Sequence, residues 1–228
     1  MKMLKTEWAK LSQMDFTEKR QYIWEYYKLH IFAFLVVAIM VGSFVNTLVL
    51  NPPRREYLYF VWVGPPVTSF ELNDFAEELN IIVENTDRYV VRASCYSLVG
   101  LDPKMIMGLQ TRFVAQLQQR SLDLFMVTKD ELYSFSSSGF VLPIRGFMDV
   151  LEEINPAVYN VLAERLVEIT FYAEEYGHMV TDYMGASMQG IPFFDKFDIS
   201  TDDLYLAVVI NSERFERATR ALEVIFDV

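Results

Sequence analysis

Cysteine is the scarcest residue in this chain, because Cys95 is the only one among 228 residues. A single cysteine cannot form an internal disulfide, which excludes the small secreted domains that disulfides hold together. Cys95 lies in an apolar stretch with the composition of a β-strand. The sequence therefore predicts an inert, buried thiol at this position.

Basic residues are also few, since 20 Lys and Arg oppose 31 Asp and Glu. Most of the imbalance falls after residue 50, where 14 basic residues oppose 27 acidic ones, a net charge of −13. Such a segment has little with which to neutralise a row of phosphates, so we expect no nucleic-acid partner. The sequence also lacks a nucleophile elbow, a P-loop, a dinucleotide fingerprint and an HExxH motif. We therefore expect a protein that is not an enzyme and that carries no cofactor.

Charged side chains are missing altogether from residues 29–50, LHIFAFLVVAIMVGSFVNTLVL. At about 1.5 Å of rise per residue, a helix of this length extends roughly 33 Å and can cross a bilayer core of about 30 Å. The alternative is a helix buried in a protein core. A cleaved signal peptide fits less well, because the apolar run is long and no small-x-small site follows it. The stretch predicts an uncleaved transmembrane anchor with membrane lipid around it.

The segment before this anchor, residues 1–28, has six basic and four acidic residues. This bias places the amino end in the cytoplasm and residues 51–228 outside the cell membrane. Asp15 and Glu18 have the spacing of a capping box, which predicts a helix from Phe16 into the membrane. Aromatic rings and a lysine stem are stable at the membrane interface, which is the position predicted for Tyr22, Trp24, Tyr26, Tyr27 and Lys28. The alternative is that this cluster, with Trp8, docks a partner.

Residues 51–228 alternate between strand patterns and helix patterns, and they are long enough for one sizeable core. Apolar runs predict buried strands at 57–63, 122–127 and 204–210, and residues 88–98 are predicted to form another strand. Helices are predicted to begin at Ser69, Asp102-Pro103 and Asp130, with a last helix capped by Ser212. This order predicts an α/β domain with a mostly parallel sheet and helices on both faces.

Residues 146–190 have a different pattern. Asn155-Pro156 predicts the start of a long helix with an apolar stripe through Tyr172 and Ala173, ending near Gly177. A loop rich in Met, Tyr and Gly is expected to follow. These residues would form a small insertion in the domain.

Ligands of open parallel sheets bind beyond the carboxyl ends of the strands. The hydroxyl groups expected there belong to Thr68, Ser97 and Thr128, which could bind a small polar ligand. The alternative is that they only cap helices and close turns.

Two groups of residues contain side chains of the types that bind metal ions. Glu174, His178 and Asp182 have a spacing of four, but Gly177 interrupts the helix that would align them. The patch of Asp195, Asp198, Asp202 and Asp203 lacks the spacing of a calcium-binding loop. We therefore predict no metal site.

A family resemblance begins at residues 105–149, where a helix leads into GLQTRFVAQLQQRSLDLFMVTKDELYSFSSSGFVLPIRGFMD. This stretch resembles the extracytoplasmic solute-binding proteins of ABC importers, in which a helix passes through a Gly-Asp-x-Asp-type turn into a strand. A short helix ending in Gly and an apolar-Leu-Pro-Leu segment follow. The matching residues are Asp123, Gly139, Phe140, Leu142, Pro143 and Asp149. Arg120 stands where the family usually has Gly. Residues 204–226 are similar to the closing strand, Asn-Ser turn and helix of the same proteins.

The resemblance implies a fold like one lobe of a type II periplasmic binding protein. The whole chain also looks like single-span proteins of Gram-positive anaerobes that keep a reduced solute-binding-like domain. Only residues 146–190 could form the second lobe that clamps a ligand. We therefore expect a non-enzymatic accessory protein that contacts an ABC transporter or another envelope protein. The alternative is a true receptor that delivers a small polar solute to an ABC importer.

Overall fold

The computed structural model describes residues 15–64, 67–96, 102–173 and 177–228. It divides into two compact units, Met1–Pro53 and Arg54–Val228, and each is described by itself.

The first unit contains one long helix, α1 (Phe16–Val45), which continues into a π-helical turn at Asn46–Leu50. The backbone N–H of Asp15 donates to the Glu18 carboxylate at 3.2 Å, so the helix begins where the capping pattern predicts. At the other end, the Asn51 side-chain amide donates to the Asn46 side-chain oxygen at 3.0 Å. Trp24–Leu50 has a mean hydropathy of 2.4 in its most apolar window, and none of that window is buried by the residues that the structure describes. The helix is long and apolar enough to cross a membrane.

The second unit is an α/β fold. Its strands are β1 (Arg55–Val63), β2 (Tyr89–Cys95), β3 (Leu124–Val127), β4 (Val141–Leu142), β5 (Leu166–Ala173), β6 (His178–Ser187) and β7 (Tyr205–Val209). Its helices are α2 (Ser69–Leu79), α3 (Pro103–Gln118), α4 (Lys129–Ser137), α5 (Arg145–Ile154), α6 (Pro156–Ala163) and α7 (Phe215–Phe226). Short 3₁₀ turns cover Asn80–Ile82 and Pro192–Phe197.

The seven strands form one sheet in the order β2-β1-β3-β7-β6-β5, with β4 also paired to β7. β1 is parallel to both β2 and β3. β3 is antiparallel to β7, and the β4–β7, β6–β7 and β5–β6 pairs are antiparallel as well. The prediction of an α/β sheet is confirmed, but the sheet is mixed where a mostly parallel one was predicted, because β7 lies antiparallel to β3 and the β5–β6 hairpin extends this antiparallel half.

Alternate residues of β1 supply the two sides of the core, as the twofold period of a strand requires. Leu58, Phe60 and Trp62 pack into one apolar cluster with residues of α2, α5, α6 and α7. Tyr59, Val61 and Val63 pack into a second cluster with α3, α4 and the β5–β6 hairpin. Helices therefore cover both faces of the sheet, as predicted.

The long helix predicted after Asn155 is wrong. α6 ends at Ala163, and the following residues form β5, which pairs with β6 as a hairpin around Gly177. Along β5, Ile169, Phe171 and Ala173 are buried, while the residues between them are exposed. This alternation is the period of a half-buried strand, and the β-branched and aromatic residues favour the same structure. Within residues 146–190, β6 joins the main sheet by pairing with β7.

Two predicted helix caps are also corrected. Thr68, not Ser69, caps α2, and its hydroxyl accepts a hydrogen bond from the Glu71 backbone N–H at 3.3 Å. α7 begins at Phe215, three residues after Ser212. The Ser212 hydroxyl donates instead to the Asp123 carboxylate at 3.0 Å.

Candidate functional site

The carboxyl ends of β1 and β3 approach each other closely at the edge where a ligand site was predicted. Gly64 follows β1 with a φ of 136°, a conformation that side-chain-bearing residues rarely adopt. A Cβ atom at Gly64 would lie 2.7 Å from the Cγ2 atom of Thr128, which follows β3. Glycine is therefore required for the two strand ends to meet.

The two predicted ligand hydroxyls in the described part of the chain are both helix N-caps. The Thr68 hydroxyl accepts from the Glu71 N–H, and the Thr128 hydroxyl accepts from the Glu131 N–H at 3.4 Å. Each hydroxyl keeps its own hydrogen for a further bond, so ligand contact stays a prediction. Ser97 lies outside the described residues.

A cavity of about 440 Å³ lies at the same edge, between α3 and α4. Leu109, Phe113 and Val114 line it from α3, and Glu131, Ser134 and Phe135 line it from α4. Leu109 and Phe113 are four positions apart, which is the spacing of core residues on one side of a helix. The sequence contains no signal for the gap between α3 and α4, because β3 separates these helices along the chain.

The remaining lining residues are Val63, Tyr96 and Phe140, which come from the ends of β1 and β2 and from the segment before β4. Phe113 is at the centre of the aromatic packing here. Its ring centroid lies 5.6 Å from that of Phe135 and 5.4 Å from that of Tyr96. Aromatic contacts of this kind give the cavity a firm apolar wall.

The Tyr96 hydroxyl is already used within the protein. It donates to the side-chain oxygen of Gln116, whose amide group donates to the Tyr59 hydroxyl at 3.4 Å. Burial raises the pKa of Tyr96, as does the nearby Tyr59, while Arg112 acts in the opposite direction. The phenol therefore stays protonated, and it serves to position Gln116.

Exposed apolar side chains continue outward along α3. Met105 is 58% exposed and Met107 is 70% exposed, while Val114 is exposed beside the cavity. Methionine side chains are flexible and polarisable, and surfaces that bind other proteins often contain them. Met107 and Val114 are seven positions apart and therefore lie on one face of α3, and we call these two residues the α3 surface.

The most buried carboxylate belongs to Asp123, which is 1% exposed. It accepts hydrogen bonds from the Tyr59 backbone N–H and from Arg214, both at 2.9 Å, in addition to the bond from Ser212. Burial raises the pKa of Asp123, although the Arg214 charge and the three hydrogen bonds oppose that shift. Asp123 thus connects β1, the start of β3 and the segment before α7.

The candidate metal ligands His178 and Asp182 lie on a strand and not on a helix. His178 begins β6 and Asp182 lies on the same strand, where its carboxylate pairs with Arg145 at 2.9 Å. Glu174 lies outside the described residues. Asp203 accepts a hydrogen bond from the Lys129 backbone N–H at 3.4 Å. Within the described ranges, no group of three or more potential ligands could hold a metal ion.

The predicted membrane-interface residues all lie on α1, at the cytoplasmic end expected for the span. The rings of Tyr22 and Tyr26 are 4.7 Å apart, and Trp24 is 69% exposed. Lys28 is exposed and Tyr27 half-buried on the same helix. Their position at a lipid headgroup layer stays a prediction.

A scan against protein-family models, a search of curated proteins and a search of solved structures each gave no match to this chain.

Proposed function

We propose that this protein is a non-enzymatic accessory protein of the cell membrane, anchored by α1. Its acidic α/β unit would lie outside the cytoplasmic membrane and contact another envelope protein there. The observation that carries this proposal is the α3 surface, two exposed apolar side chains on one helix face beside the cavity.

The membrane part of the proposal rests on α1. The helix has no charged residue from 29 to 50, and six basic residues precede that stretch. Basic residues are retained on the cytoplasmic side during insertion. The same argument places Arg54–Val228 on the outer side, within the reach of transporters and other envelope proteins.

Two local features support a likeness to one lobe of a solute-binding protein. Arg120 has a φ of 53°, so the position where that family has glycine adopts the conformation that glycine favours. The Asn-Ser turn after β7 is tied back to Asp123 through Ser212. The turn at Arg120 and the buried carboxylate of Asp123 support this likeness.

The accessory role is favoured over the alternative of a true solute receptor. A receptor of this class encloses its ligand in a cleft with a few well-placed polar groups, commonly at a domain interface. Arg54–Val228 instead forms one compact unit, in which β6, from the expected second lobe, pairs with β7 in the main sheet. The cavity at the sheet edge has mainly apolar lining residues.

The partner is proposed to be an integral envelope protein, with an ABC transporter as one candidate. Binding a partner through the α3 surface would remove exposed apolar side chains from water, which is favourable. The net charge of −13 on residues 51–228 favours a partner with a basic outer surface.

Site-specific photo-crosslinking in intact cells tests this function. A benzophenone side chain at Met107 should form an adduct with one integral membrane protein, identified by mass spectrometry. The same group at Ile81 is the control, because Ile81 is also highly exposed but follows α2 on the other face of the sheet. Equal labelling from the two positions would contradict a specific partner at the α3 surface.

Protease accessibility tests the orientation separately. Protease added to intact, wall-stripped cells should digest Arg54–Val228 and leave the residues before the span intact. Protection of the acidic unit until the membrane is permeabilised would reverse the proposed topology.

A further inference from the structure

The cavity between α3 and α4 has the size of a small-molecule site. Its volume of about 440 Å³ lies within the range of roughly 300–1,000 Å³ that is typical of ligand pockets. It lies at the carboxyl ends of the parallel strands β1 and β2, the usual place for ligands in open α/β sheets. Position and size therefore both suit a small organic ligand.

The wall of the cavity favours an apolar body. Phe113 and Phe135 are stacked, and Phe140 meets Phe135 edge to face with centroids 6.0 Å apart. Leu109 and Val114 extend the apolar wall toward solvent. An aromatic ring or a short alkyl chain would bury apolar area against these groups.

The polar part of the cavity carries one sign of charge. Among the described residues that line it, Glu131 is the one charged side chain. Glu131 is half-buried, and in the described part of the chain its carboxylate has no hydrogen bond or ion pair, since only its backbone N–H is bonded to Thr128. The neighbouring Ser134 can add a hydroxyl.

The remaining polar groups do not oppose a cation at this position. The Tyr96 hydroxyl is bound to Gln116, so it does not compete for the ligand. Arg112 acts on Tyr96 but is not among the lining residues. The net charge of −13 on residues 51–228 adds a long-range attraction for cations, and aromatic ring faces attract them at short range.

We propose that this cavity binds a small organic monocation, with an aryl or alkyl body against the Phe113–Phe135 wall and its ammonium group at Glu131. This site goes beyond the accessory function above and does not depend on it. The wall selects the body of the ligand, and Glu131 selects its charge.

Ligand binding to the full chain in nanodiscs of uncharged phosphatidylcholine tests the site, with empty nanodiscs as the blank. Three probes share one phenyl ring: 2-phenylethylammonium, 2-phenylethanol and 3-phenylpropionate. Saturation-transfer NMR titration should give saturable binding of the cation, weaker binding of the alcohol and none of the carboxylate. Equal binding of cation and carboxylate, or no binding of any probe, would overturn the proposal without needing a variant.

Two matched variants assign the charge selectivity. Glu131→Gln should weaken binding of the cation about tenfold, to the level of the alcohol, since an ion pair of roughly 1.4 kcal/mol is lost. Asp130→Asn removes the same charge from the same helical turn, outside the lining, and should change binding less than about twofold, because it touches no ligand atom. Equal losses in both variants would mean a general field effect and would refute a site at Glu131.

Filling the cavity tests where the body of the ligand lies. Val114→Trp should abolish binding of both the cation and the alcohol, with the circular dichroism spectrum unchanged. Retained binding in that variant would place the ligand elsewhere.

Discussion

The two halves of the sheet differ in strand direction and in how the chain connects their strands, and they meet where β3 pairs with β7. In the parallel half, each of β1, β2 and β3 is followed along the chain by a helix, so the order of the elements in the sequence indicates how they are arranged. In the antiparallel half, β5 and β6 form a hairpin, and a long connection that contains a 3₁₀ turn joins β6 to β7. The parallel half presents the cavity and the α3 surface, while the antiparallel half supports α4 from behind through Leu132, Ile169 and Phe171. The candidate site therefore also depends on the antiparallel half of the sheet, which supports α4 and contributes Phe140, directly before β4, to the cavity wall.

The largest expected effect comes from breaking the junction between the halves at Asp123. Asp123→Ala would leave the Arg214 guanidinium and the Tyr59 N–H without their buried acceptor. Removing one partner from a buried ion pair typically costs about 3–5 kcal/mol of unfolding free energy. Urea unfolding of the full chain in neutral detergent, followed by tryptophan fluorescence, measures it.

Ser212→Ala is the control at the same cluster, because it removes one hydrogen bond and no charge. Its expected cost is about 1 kcal/mol. If Asp123→Ala lowers the unfolding free energy by less than Ser212→Ala does, the two halves are held together by apolar packing and not by this cluster.

A second prediction tests the antiparallel half alone. A Cβ atom at Gly185 of β6 would lie 2.6 Å from the Leu206 carbonyl oxygen and 3.3 Å from a Leu132 methyl group. Gly185→Ala should therefore destabilise the fold by roughly 1–3 kcal/mol, since the β6–β7 contact and α4 must both move. Chemical denaturation of the same preparation gives the value.

Gly146→Ala is the matched change in α5, where the added Cβ meets no atom within 4 Å. It should stabilise the protein by about 0.4–1 kcal/mol, because alanine restricts the unfolded chain and suits a helix. If both glycine variants behave alike, the close approach of β6 to β7 has no energetic role.

The third prediction concerns pH and again separates the junction from its surroundings. Burial raises the pKa of Asp123 above that of the unfolded chain, so at pH values between these two pKa values the folded state holds a proton on Asp123 that the unfolded state has lost. Stability from this group is fully present below the unfolded pKa and decreases as the pH rises through the folded pKa. Wild type should therefore lose stability relative to Asp123→Asn as the pH rises from acidic values toward neutral. If the difference in unfolding free energy between wild type and Asp123→Asn stays constant with pH, the prediction that Asp123 titrates is wrong.

The smallest expected effect is at the exposed face of the hairpin. The hydroxyls of Thr170 and Thr181 lie 2.8 Å apart on neighbouring strands. Cross-strand pairs of this type contribute roughly 0.2–1 kcal/mol, so Thr170→Ala should shift the unfolding midpoint only slightly. A double-mutant cycle with Thr181→Ala measures the pair, and a coupling energy near zero would mean that the hairpin is held by its buried face alone.

Particular residues explain why one half was easier to predict. In β1, every residue from Leu58 to Val63 is buried, and a continuous apolar run bounded by Gly and Pro has few other interpretations. In β5, Leu166, Ile169 and Ala173 also fit the spacing of a helix that continues α6, and this coincidence produced the wrong prediction. The alternation of Ile169 and Phe171 with exposed residues was the signal that distinguished the strand.

The ligand site predicted at Thr68, Ser97 and Thr128 stays a prediction, and the cavity has a different set of lining residues. The edge beyond β1 and β3 was anticipated from the strand order, whereas Thr68 and Thr128 proved to be helix caps. The cavity requires α3 and α4 to stand side by side, and no local pattern reports the gap between two helices. Its acidic residue, Glu131, was visible in the sequence only as part of a helix start.

By itself, the sequence determined the features that depend on neighbouring residues: the uncharged apolar helix, the buried strands of the parallel half, and the caps at Asp15 and Asp102. These follow from local composition, because a helix or a strand responds to side chains a few positions apart. Only the tertiary structure decided that β7 runs antiparallel beside β3, that a hairpin supports α4, and that Asp123 binds groups 64, 89 and 91 positions away. Such contacts depend on how the chain returns to itself, which the packing of the whole core determines.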